Sequence, residues 1–131
     1  MHRRLPFIIA ACLIAGCSGK GPPLAEVTGE VTFNGLPAMA EIIFEPDAGK
    51  GQAGGRPSSA LTQSDGSFRL QYTADRTGAV LGLHRVLVKI LPVTNDGEPQ
   101  SFQDAVTPVK IARLKRQVRT GKNHFRFAVT L

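Results

Sequence analysis

The stretch AEVTGEVTFNGLPAMAEIIFEP, residues 25–46, decides the fold class of this chain. Its first ten residues alternate between apolar and polar side chains. This period of two predicts a strand that buries Val27, Val31 and Phe33 on one face, with Gly29 between them. Glycine inside a strand marks a bulge or a close approach of another part of the chain.

The second half of the stretch predicts a tight turn followed by another strand. Asn34-Gly35 is a strong turn signal, because both residues tolerate the positive φ angles that short hairpins require. After the turn, Ala40, Ile42 and Phe44 again alternate with polar neighbours. The stretch therefore indicates an antiparallel sheet with one buried face.

Further strands are expected at 58–63, 67–70, 84–91 and 124–131, with a turn at Asp65-Gly66. Their predicted inward residues are Phe68, Leu70, Val86, Val88, Ile90, Phe125, Phe127, Val129 and Leu131. Segments 47–57, 71–81 and 92–108 are expected to be loops. This pattern predicts an all-β fold, a small antiparallel Greek-key β-sandwich of about seven strands.

Residues 109–119 are ambiguous between strand and helix. Ile111, Leu114 and Val118 have helical spacing, whereas Leu114, Arg116 and Val118 are spaced for a strand. We favour a strand that forms a hairpin with the final one, because Thr120 to Asn123 suit a turn and the final strand needs a partner. The helical alternative would be a basic amphipathic helix.

The chain begins with features of an export signal. His2, Arg3 and Arg4 precede an apolar run at 7–15, and small residues follow. Such signals have apolar cores of about 7–15 residues, whereas a transmembrane helix needs roughly 20. The alternative is a cleaved signal without lipid.

Ile14-Ala15-Gly16-Cys17 resembles the lipobox of bacterial lipoproteins. The resemblance implies cleavage before Cys17, a diacylglycerol on its thiol and an acyl chain, typically palmitate, on the new amine. Several acyl chains hold a protein on a bilayer, whereas one holds it only marginally. We therefore expect a signal at 1–16, a tether at 17–24 and a sandwich domain at 25–131, in the cell envelope, facing the periplasm or the cell surface.

The signal also accounts for both cysteines. Cys12 would be removed with it and Cys17 would carry the lipid, so the remaining domain would have neither a thiol nor a disulfide. Ser18 leaves the choice between inner and outer membrane open.

Positive charge is concentrated at the C-terminal end. The whole chain has a formal net charge of +6. Residues 110–131 contain no acidic residue and seven basic ones, Lys110, Arg113, Lys115, Arg116, Arg119, Lys122 and Arg126. Such a stretch could bind anionic envelope glycans, lipid head groups or another envelope protein. Nucleic acid does not suit an exported protein. The alternative is a solvated surface with a basic bias.

Four short motifs resemble those of the carboxypeptidase regulatory-like domain, a transthyretin-like (prealbumin-like) β-sandwich. They are VTGEV at 27–31, IIFEP at 42–46, SDGSF at 64–68 and GLHRV at 82–86. In the last motif His84 stands where the family usually has tyrosine.

The resemblance is good over 25–91 and looser over 114–131. It implies a non-catalytic sandwich, because in carboxypeptidases this domain sits beside the peptidase. Fold alone indicates little about function.

The sequence shows no assembled catalytic or metal site. On the strand pattern, His84 is a half-buried structural residue and His124 faces water, and their separation fits no metal motif. Glu41 and Glu45 share a predicted outer face, where a solvated pair is favoured over a catalytic one. We expect no cofactor, no metal and no catalytic residue.

The sequence is compatible with three functions. The first is a lipid-anchored, non-catalytic binding or structural module, and the second is a regulatory module that docks on another envelope protein. The third is a small hydrolase of transthyretin type, as in hydroxyisourate hydrolases. Those enzymes end in Tyr-Arg-Gly-Ser, whereas this chain ends in Ala128-Val129-Thr130-Leu131.

Overall fold

The computed structural model describes residues 21–47, 55–92 and 108–131, and within them it is an all-β sandwich without helices. The signal segment with Cys17 and parts of two predicted loops, 48–54 and 93–107, lie outside the described residues. The strands are β1 (Leu24–Phe33), β2 (Leu36–Pro37), β3 (Ala40–Pro46), β4 (Ser58–Leu61), β5 (Ser67–Arg69), β6 (Gln71–Thr73), β7 (Arg76–Thr77), β8 (Ala79–Val80), β9 (Gly82–Ile90), β10 (Lys110–Val118) and β11 (Lys122–Val129).

The larger sheet has the strand order β10-β9-β3-β4-β6-β7, and all its pairs are antiparallel. Residues 110–118 are a strand, as favoured from the sequence. The strand pairs with β9 in continuous register, from Lys110 opposite Ile90 to Val118 opposite Gly82. β10 is an edge strand of this sheet in the described part of the chain.

The smaller sheet is built around β1. β2, β5 and β8 pair antiparallel to β1, and β11 lies along it in parallel, with Glu26 opposite Lys122 and Phe33 opposite Val129. The predicted hairpin between residues 110–118 and the final strand is therefore wrong, and one strand pair departs from the expected antiparallel pattern.

The hydrogen bonds of Asn123 explain why the chain passes from the larger sheet at β10 to the smaller sheet at β11. Its side chain donates to the carbonyl oxygens of Arg119 (2.8 Å) and Glu26 (3.1 Å), and accepts from the Arg119 amide (3.0 Å). These bonds fix the turn, with Gly121 at φ +93°, against the start of β1. Turn residues alone cannot specify which sheet receives the next strand, since face-to-face sheets lie only about 10 Å apart.

Two further expectations were wrong. Residues 71–81 form the short strands β6, β7 and β8 instead of a loop, because β4 and β1 offer them pairing partners. Leu131 is 81% exposed instead of inward, since it follows the end of β11; its amide donates to the Asn34 side chain at 3.2 Å. β1 begins at Leu24, one residue before the expected start of the domain.

The core lies between the two sheets. Phe44 occupies its centre, with ring centroids 5.7 Å from His84, 5.8 Å from Phe125 and 6.4 Å from Phe127. Other predicted inward residues that are buried are Val27, Val31, Ala40, Ile42, Phe68, Leu70, Val86, Val88, Ile90 and Val129. The alternation read from the sequence thus identified most of the core.

Both predicted glycine turns are present. Asn34 and Gly35 have φ angles of 50° and 84° between β1 and β2. At the second turn, Asp65 Oδ1 accepts hydrogen bonds from the Ser67 amide (2.9 Å) and hydroxyl (2.6 Å), and these bonds lower the pKa of the Asp65 carboxyl. Asp65 is therefore a turn residue.

Candidate functional site

The seven basic residues of the C-terminal stretch do not form one surface. β10 and β11 belong to different sheets, and side chains alternate in direction along each strand. On β10, Arg113 and Lys115 lie on the outer face of the larger sheet, whereas Lys110 and Arg116 lie on its inward side. On β11, Lys122 and Arg126 lie on the outer face of the smaller sheet. Arg119 lies in the connection between the two strands.

Arg116 has a structural role between β10 and β11, the neighbouring edge strands of the two sheets. Its guanidinium carbon lies 5.3 Å from the centroid of the buried Phe127 ring, and its Nη1 donates to the Lys115 carbonyl oxygen at 2.7 Å. A cation over an aromatic face is attracted by the ring quadrupole. Arg116 therefore covers the core where the two sheets are not joined by a strand.

On the outer face of the larger sheet, β3 and β9 are matched in charge. Glu45 pairs with Arg85 (3.4 Å) and Glu41 with Lys89 (3.8 Å), and each pair is directly opposite in the register. The predicted outward position of both glutamates is confirmed. Their neighbours make them cross-strand partners, each worth a fraction of a kcal/mol at such exposure, on the order of 0.2–1 kcal/mol.

The charge matching ends at β10. Arg113 lies opposite Leu87, and Lys115 lies opposite Arg85, which already faces Glu45 on its other side. Both β10 cations are exposed, and within the described residues neither side chain has an ion-pair or hydrogen-bond partner. Like charges directly opposite each other in a sheet are unfavourable.

Beside these two cations the sheet has an open hollow of about 490 Å³. Leu87 contributes apolar surface, while Arg85, Arg113, Lys115 and Glu45 contribute charged groups. We call this region, the outer face of β10 together with the hollow, the β10 surface. Its chemistry suits a ligand that carries negative charge and some apolar surface.

His84 is sealed in the core. It is 1% exposed, and its Nδ1–H donates to the Gly82 carbonyl oxygen at 3.0 Å. A proton on Nδ1 leaves Nε2 as the acceptor of the neutral ring, and this buried atom has no hydrogen-bond partner among the described residues. Burial lowers the pKa of His84, and the hydrogen bond to Gly82 opposes this shift. The predicted inward position of His84 is confirmed, but the ring is fully buried instead of half-buried.

His124 lies on the opposite, outward side of the molecule. Its Nδ1 is 3.0 Å from the Thr28 hydroxyl, directly across the β1–β11 pair. The two residues border a polar hollow of about 530 Å³ that Glu30 and Arg69 also line. Among the described residues no acidic side chain is hydrogen-bonded to His124, so the arrangement is a cross-strand pair and lacks the third group of a catalytic triad.

Within the described ranges no group of three or more His, Cys, Asp or Glu side chains could hold a metal ion. His84 and Arg85 lie on opposite faces of β9, one buried and one exposed, so they cannot line one pocket.

The charge-matched rows were missed from the sequence, although a signal for them exists. Glu41 and Glu45 are four residues apart in one strand, and Arg85 and Lys89 are four apart in another. Antiparallel pairing of such strands aligns acid with base at both positions. What the spacing could not show is that β10, with two more cations, would lie next to Arg85.

Comparisons with known proteins assign this chain to no family. No family model matches the sequence, and no curated protein is significantly similar to it. A solved structure of a DUF3823 family protein from Parabacteroides merdae is 16% identical with a TM-score of 0.46, covering 83% of this chain and 47% of that one. A 9R-lipoxygenase from Cyanothece PCC8801 is 18% identical with a TM-score of 0.42, covering 82% and 16%. The chain thus spans about half of the first protein and a small part of the second.

Proposed function

We propose that this chain is a lipid-anchored protein of the cell envelope whose β-sandwich is a non-catalytic binding or structural module. The observation that carries the binding role is the β10 surface, where Arg113 and Lys115 are exposed and unmatched next to an open hollow. The one strongly buried titratable group of the described residues, His84, is 1% exposed and lines neither of the two hollows described above. The exposed charged groups of the β10 surface therefore favour a binding role.

The anchor rests on the sequence around Cys17. A basic start, a short apolar run and Ile14-Ala15-Gly16-Cys17 together support lipid attachment at that thiol. No helix among the described residues is long and apolar enough to cross a membrane. Since β1 begins at Leu24, a tether from Cys17 would be too short to move the domain far from the bilayer.

The register indicates which cations would lie near such a bilayer. Lys122 is opposite Glu26, close to the start of β1, and Arg119 lies in the turn beside it. Both side chains are exposed. Anionic lipid head groups attract basic residues at a membrane surface by about 1 kcal/mol each. We assign Arg119 and Lys122 to this contact, which leaves the β10 surface for another ligand.

The carboxypeptidase regulatory-like resemblance is compatible with this proposal. Gly29 lies within β1, Asn34-Gly35 lies between β1 and β2, and Asp65-Gly66 precedes β5, which supports the resemblance. His84, in the tyrosine position of the family, packs against Phe44. The family assignment remains part of the proposal.

A regulatory module is the second candidate, and β10 is the feature that favours it. An edge strand of nine residues in unbroken register can pair with a strand of another protein. The transthyretin-type hydrolase receives no such support, because His84 and Arg85 do not share a pocket.

The test of the anchor is a Cys17→Ser variant, with Cys12→Ser as the matched control in the same apolar segment. We expect Cys17→Ser to lose the gel shift of lipid-dependent processing and to leave the membrane fraction on alkaline washing. Cys12→Ser should behave like the native chain. Unchanged processing and fractionation of Cys17→Ser would refute the anchor.

A further inference from the structure

On the outer face of the larger sheet, acids and bases are paired across β3 and β9 but not at the edge strand β10. On its outer face, each acid of β3 stands directly opposite a base of β9, at Glu41–Lys89 and Glu45–Arg85. β10 continues the Glu45–Arg85 row with Lys115 and the Glu41–Lys89 row with Ile111, and between them it places Arg113 opposite Leu87. The described residues place nothing acidic beyond β10. An acidic side chain outside Lys115 would therefore restore the alternation of charge in that row, and a second acid beside Arg113 would meet its unpaired charge.

The backbone of β10 is suited to receive another strand. All nine of its residues pair with β9 without a register shift, so its other side offers a regular set of N–H and C=O groups. Unpaired edges of this kind accept extended peptides, whose main chain supplies hydrogen bonds and whose alternate side chains supply specificity.

We propose that β10 binds an extended acidic segment of a partner protein by strand addition. Acidic residues at alternate positions of the segment would lie on the outer face of the sheet beside Arg113 and Lys115. This inference rests on the proposed binding role and is independent of the anchor at Cys17.

Charge distinguishes this occupant from a second copy of the chain. Pairing of β10 with β10 of another molecule would bring Arg113 and Lys115 of both copies together, and like charges across a strand pair are unfavourable. Basic side chains on an edge are a common means of preventing such self-pairing. The same charges attract an acidic strand, so the β10 edge favours an acidic partner and disfavours pairing with a second copy of itself.

The other long edge strand lacks these properties. On β11, Arg126 already pairs with Glu30 at 3.8 Å, His124 and Ala128 carry no fixed positive charge, and Lys122 stands alone at the first position of the strand. Among the described residues, β10 is thus the long edge strand with two unmatched cations at successive outer-face positions.

The test uses the full chain in detergent solution and a labelled nine-residue peptide of alternating Glu and Thr, equal in length to β10. Its control is the same peptide with alternate amides N-methylated, which keeps the charge and removes the strand donors. We expect saturable binding of the first peptide by fluorescence anisotropy, slower hydrogen exchange of β10 amides in its presence, and binding of the N-methylated peptide about tenfold weaker.

Variants locate the site. Arg113→Glu/Lys115→Glu should lower the affinity at least about tenfold, whereas Arg119→Glu/Lys122→Glu, with the same change in net charge, should leave it within about twofold. Equal binding of both peptides without β10 protection would show a simple electrostatic patch and overturn strand addition. Absence of binding would overturn the acidic occupant. Neither result bears on membrane attachment, which the Cys17→Ser fractionation decides separately.

Discussion

The Phe68 ring lies against the backbone of Gly29, so closely that a Cβ added at Gly29 would be 2.6 Å from the ring carbons Cε1 and Cζ. The same Cβ would meet the Phe125 carbonyl oxygen from the other neighbouring strand. Gly29 is opposite both residues in the register. The glycine inside β1 is therefore required for space, because two adjacent strands and an aromatic ring occupy the place of its side chain.

Gly29→Ala should destabilise the sandwich by about 1–3 kcal/mol, the usual cost of overpacking a filled core. Urea unfolding followed by circular dichroism measures it, with Thr130→Ala at the exposed chain end as control. Shortening the ring in Gly29→Ala/Phe68→Leu should restore only part of the loss, because the Phe125 carbonyl is backbone and cannot move aside. Full recovery in the double variant would contradict the backbone clash.

Thr62 should be essential at the start of the loop after β4. Its buried hydroxyl donates to the Ala38 carbonyl at 2.7 Å and accepts from the Ala40 amide at 2.8 Å. Thr62→Val keeps the shape and loses both bonds, which leaves buried polar groups unpaired at a cost of about 1–3 kcal/mol. Thr62→Ser retains the hydroxyl and should cost clearly less. Equal unfolding midpoints for the two variants would disprove this role.

His84 should make the fold sensitive to mild acid. Burial lowers its pKa in the folded state, so below the ordinary value of 6.5 the unfolded chain binds a proton that the folded chain does not. Stability is therefore highest above pH 6.5 and falls as the pH decreases through the interval down to the folded pKa, by at most about 1.4 kcal/mol per pH unit. Arg116, opposite His84 on β10, would repel the charged ring as well.

The measurement is the unfolding free energy from pH 8 to pH 5 for the native chain and for His84→Phe. The variant should be less sensitive to pH over this range, whereas His124→Gln, at the exposed histidine, should keep the native slope. If His84→Phe retains the full slope, another group is responsible for it.

Arg116 should contribute to stability, whereas Arg113 should not. Removal of the Arg116 guanidinium from Phe127 in Arg116→Ala should cost about 0.5–1 kcal/mol, since the pair is partly exposed. Arg113→Ala is the matched change three residues away on the outer face of β10, where the arginine has no aromatic partner, and it should stay within about 0.5 kcal/mol of the native chain. Equal losses in the two variants would argue against the ring contact.

The β10 cations should also keep the protein from self-association. Arg113→Thr/Lys115→Thr removes the repulsion between two β10 edges and adds residues that favour strands, so the variant should form dimers or larger species. Arg85→Thr/Lys89→Thr removes the same charge from the interior strand β9 and should remain monomeric. Sedimentation velocity compares the two, and identical profiles would rule out edge protection.

The all-β class, most of the core and the turns at Asn34-Gly35 and Asp65-Gly66 could be predicted from the sequence alone. Alternation in 25–46, 84–91 and 124–131 needs only the period of a strand, and Asn34-Gly35 and Asp65-Gly66 need only local backbone chemistry. The sequence also identified His84 as an inward residue, because it is two residues before Val86 and four before Val88 in an alternating strand.

Which strands are neighbours became known from the three-dimensional structure. Periodicity assigns a face to each residue but no partner to each strand, so the parallel pairing of β11 with β1 and the pairing of β10 with β9 could not be read from it. The seven C-terminal cations were one group in the sequence and are divided between two sheets in space. That division left Arg113 and Lys115 unmatched on the edge of a charge-matched face, because cross-strand pairing depends on contacts between distant segments.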